Sequence, residues 1–158
     1  LLFAIVCLRS FAGMGMAFDW KTGAWSAAAA AAVVLGKAFG AAFADRMGLW
    51  RASACSLALS AGLFLFCDNP FCATLAIALF NVTMPVTLLA LAILMPGQEG
   101  FAFGLLTFAL FLGFLPTALG GGRVFSGAEL AAICAVSLAL LAPALGGAGR
   151  SSAQTSDV

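Results

Sequence analysis

The chain is a succession of apolar runs, each about as long as a bilayer is thick, with only a few polar residues between one run and the next. A helix needs about 20 apolar residues to cross the hydrocarbon core, and an α-helix satisfies its own backbone hydrogen bonds there. Six such runs fit: 1–18, 23–44, 49–67, 70–95, 100–119 and 127–147. Composition closes off the soluble alternative. Only 8% of the 158 residues are charged, against about 25% in an ordinary soluble domain, too few to cover a surface in water. The expectation is an all-α membrane protein. It is a six-transmembrane-helix bundle over 1–147, with a small, polar, disordered tail over 148–158.

Each break between runs has a local cause. Asp19-Trp20-Lys21-Thr22-Gly23 is a polar turn, with Trp20 and Trp25 placed to anchor at the membrane interface. Asp45-Arg46-Met47-Gly48 closes the second run. Asn69 is placed to cap the fourth helix, with Pro70 in its first turn. Residues 96–100 separate the fourth run from the fifth, and Gly120-Gly121-Gly122-Arg123 the fifth from the sixth. Ser126 and Glu129 have the spacing of a capping box. Ala32, Gly36, Gly40 and Ala44 recur every four residues, and Gly100 and Gly104 repeat that spacing. Each set predicts a small face against which another helix packs closely.

Several functions are disfavoured at this point. A net charge of +1 with no basic stripe argues against nucleic acid. The chain has no His, so it offers no Ser–His dyad or imidazole base, and neither enzyme chemistry, a metal nor a cofactor is expected. None of the five cysteines stands in a C-x-x-C spacing. Cys7, Cys55 and Cys134 lie in apolar runs, where Cys acts as a small hydrophobe, while Cys67 and Cys72 bracket one turn and could pair. The chain opens at Leu1-Leu2-Phe3, already inside an apolar run, which reads as a polypeptide whose N-terminal part is missing. Alternate loops carry Arg46, Arg51 and Arg150 on one side and Lys21 and Arg123 on the other. Three against two does not orient the chain.

The stretch Gly36-Lys37-Ala38-Phe39-Gly40-Ala41-Ala42-Phe43-Ala44-Asp45-Arg46-Met47-Gly48-Leu49-Trp50-Arg51 resembles the signature loop of the major facilitator superfamily. That signature is a glycine, small and apolar residues, then Asp-Arg-x-Gly and basic residues, joining the second and third helices of each six-helix half. Here it joins the second and third runs. Ala41 stands where a glycine is usual, and Leu49 and Trp50 where basic residues are usual. The resemblance implies half of a twelve-helix transporter, helices seven to twelve, whose partner is the missing N-terminal six-helix half. It also implies that Asp45, Arg46, Gly48 and Arg51 form a conformational latch between the halves. The physics of the loop is compatible with that role. A carboxylate such as Asp45 can accept from the free N–H groups that start another helix, Arg46 and Arg51 favour an anionic leaflet surface, and Gly48 allows a sharp reversal.

Polar residues inside the runs supply the candidate substrate-binding set. Arg9 lies near mid-depth of the first run, and a buried Arg usually faces water or a partner; snorkelling or an internal ion pair is the alternative. Lys37 lies eight residues before Asp45, about 12 Å along a helix, and divides between cavity and interface. The fourth run contains Asn81-Val82-Thr83-Met84-Pro85-Val86-Thr87. Pro85 predicts a helix kink with a freed carbonyl, and Asn81, Thr83 and Thr87 offer uncharged hydrogen bonds nearby, either to a solute or as interhelical glue. In the family the first and fourth helices of each half line the central cavity, which joins Arg9 with Asn81. All six acids fall at run ends or in the tail, so a proton carrier, if one is used, is expected in the other half.

Secondary active transport of a small solute by alternating access, in a bacterial plasma membrane, is therefore the leading expectation. A self-contained six-helix subunit or channel with a structural role is the alternative.

Overall fold

A computed structural model describes residues 1–16, 18, 22–121 and 124–154. The described residues form six helices and no strand: α1 (Leu2–Met14), α2 (Ala24–Met47), α3 (Leu49–Phe64), α4 (Pro70–Leu94), α5 (Glu99–Pro116) and α6 (Gly127–Gln154). Asp19, Trp20, Lys21, Gly122 and Arg123, which the sequence assigns to turns, lie outside the described residues, as do residues 155–158.

The helix ends follow from their residues. Asn69 Oδ1 accepts the Phe71 N–H at 3.0 Å, and Pro70 opens α4, where a missing N–H costs nothing. The Ser126 hydroxyl accepts the Glu129 N–H at 3.3 Å, and the Glu129 carboxylate accepts the Ser126 N–H at 2.9 Å, completing the capping box of α6. Pro116 removes one N–H from the end of α5, and the chain widens there into a single π turn, Thr117–Gly121. α1 stops at Met14, four residues short of the first run's end. The Gly15 N–H turns back to the carbonyls of Phe11 and Ala12, and its own carbonyl accepts the Phe125 N–H, tying the end of α1 to the start of α6.

Between α2 and α3 there is no loop beyond Gly48. Its φ of 82° and ψ of 150° lie in a region open to glycine alone. Asp45 and Arg46 are thus in the last turn of α2 and Arg51 in the first turn of α3, where the resemblance suggested a loop joining the second and third runs.

α4 packs along α2 and α3, α1 along α5, and α3 along α6. Ala29, Ala32, Gly36, Gly40 and Ala44 are the buried face of α2. A Cβ on Gly36 would overlap the Ala78 carbonyl, and one on Gly40 would overlap the Val82 carbonyl and fall 2.6 Å from Pro85 Cγ. The expected small face of α2 therefore does meet a neighbour, and that neighbour is α4. Gly100 and Gly104 correct the parallel expectation for α5: both are exposed, with no atom near where a side chain would stand. The close approach of α5 is at Gly113 instead, whose Cβ would strike the Cys7 carbonyl and Ser10 of α1. Cys67 and Cys72 are both thiols, and no disulfide joins them.

Bulky apolar side chains lie on the outside of the bundle as well as in its core. Val34, Leu35, Phe39 and Phe43 are exposed on α2, and Phe101, Phe103, Phe108 and Phe111 on α5. Among the described residues three helices are long and apolar enough to cross a membrane: Ala24–Met47, Pro70–Leu94 and the continuous stretch Glu99–Leu119. The first of these, with 24 residues, is about 36 Å long. Leu2–Met14, Leu49–Phe64 and Gly127–Pro143 are apolar but shorter. Where the sequence alone suggests six spans, three helices have the length and composition for one.

Candidate functional site

Arg9 stands on the inner face of α1, with Ile5 and Ala12 buried one turn to either side. It is 3% exposed. Its Nη2 donates to the main-chain carbonyl of Phe80 on α4, and its guanidinium carbon lies 4.4 Å from the centroid of the Phe80 ring, within cation–π range. Nε and Nη1 are buried with no partner. Phe80 is itself fixed by an edge-on contact with Phe64 of α3, centroids 6.2 Å apart. Its carbonyl also accepts the Thr83 hydroxyl at 3.0 Å.

Arg9 lines a cavity of about 450 Å³ between α1, α2 and α4. Ser10, Met14, Ser26, Val33, Lys37, Ile77, Phe80, Asn81 and Met84 also face it, and Leu110 of α5 closes one side. Asn81 is half-buried, and its Nδ2 donates to the Ile77 carbonyl at 2.8 Å, one turn back on α4. Lys37 is exposed on α2 and lines both this cavity and a second of about 300 Å³, whose walls include Pro85, Thr87 and Thr107. Met84 and Leu110 are also common to both. Among the described residues none of α3 or α6 lines either one.

Of the residues singled out in the sequence, Arg9, Lys37 and Asn81 come together around one cavity. Thr83 does not: it is fully buried, and its hydroxyl is engaged by the Phe80 carbonyl. Thr87 lines the second cavity, but its hydroxyl donates to the Met84 carbonyl at 2.8 Å. Pro85 sits inside a continuous α4, with the Gly40 backbone seated against its ring. Ser10, Phe80 and Met84 are among the wall residues that sequence reading passes over. Ser10 adjoins Arg9 and spends its hydroxyl on the Leu110 carbonyl at 2.8 Å. Phe80 and Met84, apolar among apolar neighbours, carry no polar signal at all.

Asp45, Arg46, Gly48 and Arg51 are all exposed at the α2–α3 junction. Among the described residues Asp45 makes no ion pair and no side-chain hydrogen bond. Its carboxylate sits at the C-terminal end of α2, and Arg51 at the N-terminal end of α3. Each charge therefore stands at the unfavourable pole of its own helix. Arg46, in the last turn of α2, has the favourable sign.

Comparison of the chain with protein-family models, with curated proteins and with solved structures finds no match. Fold and site together define an all-helical protein with three helices fit to cross a membrane and a cavity walled by a buried arginine.

Proposed function

We propose that this chain is a membrane-embedded six-helix bundle and one half of an alternating-access secondary transporter that moves a small solute. The observation that carries the reading is Arg9. A buried guanidinium with two unpartnered nitrogens, in a residue on the wall of a cavity between α1, α2 and α4, is costly unless the cavity holds water or a ligand. The apolar exterior supports a lipid surround: the exposed bulky Phe and Leu side chains, and the small Ala and Gly face of α2 against α4, suit a bundle whose solvent is hydrocarbon. The apolar stretches Leu2–Met14, Leu49–Phe64 and Gly127–Pro143 are then shorter than the bilayer core and are accommodated by local thinning.

The resemblance of the 36–51 segment to the major facilitator signature gives the rest of the reading. In that family the first and fourth helices line the central cavity, as α1 and α4 line this one. Asp45 is exposed, unpaired and set against its own helix dipole, so it is suited to meet the N-terminus of a helix from a second half. Gly48 holds the junction that aims it.

A cysteine placed at Asn81, with the five native cysteines replaced by serine, tests the cavity's role. In sealed vesicles of the full-length protein, a membrane-impermeant maleimide should label it from either face. Labelling from one face alone would make the cavity a static pocket.

A further inference from the structure

We infer that the solute held here is a small organic anion: one carboxylate, or an acid group of like geometry, on a compact apolar body. The inference rests on the cavity being a solute site and adds the chemical class of the solute. Arginine stays charged under all ordinary conditions, so burial of Arg9 cannot be relieved by loss of a proton. Nη2 is engaged, Phe80 covers one face of the guanidinium, and Nε and Nη1 are buried with no hydrogen-bond partner. Among the described residues that line the cavity there is no carboxylate. This chain's own lining therefore leaves a counter-charge for the occupant to supply. Lys37 on the same wall adds positive potential and disfavours a cation.

The remaining wall argues for an organic body over a bare inorganic ion. Met14, Met16, Val33, Ile77 and Met84 offer apolar surface, and three of these five are thioethers able to conform to differently shaped groups. A volume of about 450 Å³ falls among cavities that enclose small organic ligands, roughly 300–1,000 Å³.

The test is titration calorimetry on the full-length protein in lipid nanodiscs, with matched probes. Benzoate and hexanoate are compared with benzamide and hexanamide, with benzylamine, and with inorganic phosphate. Expected is binding of at least one carboxylate about tenfold or more tighter than its amide, the scale of a charge-assisted hydrogen bond, with the amine and phosphate weaker still. Arg9→Gln should abolish the preference and Arg9→Lys retain part of it. The wild-type comparison depends on no variant folding. Amides or the amine binding as tightly as the acids would leave the cavity a solute site but overturn the anionic class. An undiminished carboxylate preference in folded Arg9→Gln would place the anion receptor elsewhere and also overturn it. Failure of every probe to bind the wild-type protein would sink the solute-site reading and this inference with it.

Discussion

Arg9 on α1 and Phe80 on α4 are joined twice, by a hydrogen bond from the guanidinium to the Phe80 carbonyl and by the guanidinium's seat 4.4 Å from the Phe80 ring centroid. The two contacts hold one side of the cation and leave Nε and Nη1 buried with no hydrogen-bond partner, in a residue that also lines the cavity. A residue kept for stability alone would have its nitrogens satisfied. Arg9→Met should therefore leave the thermal unfolding midpoint in detergent unchanged or raised, since an apolar side chain of similar length removes the cost of burying the charge. The same variant should lose solute binding. A fall in stability of about 3 kcal/mol or more, the scale of breaking a buried charged network, would make Arg9 structural.

The glycines of α2 and α5 should respond oppositely. Gly36→Leu or Gly40→Leu would drive a side chain into the α4 backbone. Overpacking of that kind costs about 1–3 kcal/mol, and here should lower the yield of monodisperse protein. Gly100→Ala and Gly104→Ala meet open space and gain up to about 1 kcal/mol of helix propensity. Size-exclusion profiles after a heating series separate the two outcomes; equal tolerance at Gly40 and Gly104 would mean that α2 and α4 do not pack as described.

At the α2–α3 junction, shape and charge should also separate. Gly48→Ala forces a side chain into a glycine-only backbone conformation and should cost about 1–3 kcal/mol. Asp45→Asn removes an exposed carboxylate that has no partner among the described residues, so stability should hold while transport by the full-length protein falls. Loss of folded protein in Asp45→Asn would show that the carboxylate serves this bundle and not a second half.

Capping offers a control that is independent of function. Ser126→Ala removes the acceptor for the Glu129 N–H and one partner of the Glu129 carboxylate, and should lower stability by about 1 kcal/mol. Binding of the carboxylate probes should not change.

How much of this was legible in the sequence depended on whether a residue fixes its own surroundings. Asn69-Pro70 and Ser126-x-x-Glu129 act within one turn, so their helix starts could be read directly. Spacing by four put Gly36 with Gly40 and Gly100 with Gly104, but spacing shows only that residues share a face. Where a helix is apolar all round, nothing polar marks which face turns inward, and α5 turned its pair outward. Thr83 was a different case. It lies two residues from Asn81, and residues two apart do not face the same way on a helix, so its separation from the cavity was readable. Phe80 was not, because its role depends on a carbonyl and a ring meeting an arginine 71 positions away.

Counterflow in proteoliposomes tests the transporter reading most directly. Vesicles holding the full-length protein are preloaded with the unlabelled carboxylate that binds best, then diluted into a trace of the same compound labelled. Alternating access through the Arg9 cavity requires transient accumulation of label above equilibrium, abolished by Arg9→Gln in protein that still elutes as a folded species. Equilibration of label with no dependence on the preloaded solute would show a passive pathway and contradict carrier action. Equal accumulation with Arg9→Gln would show that the arginine is not part of the route.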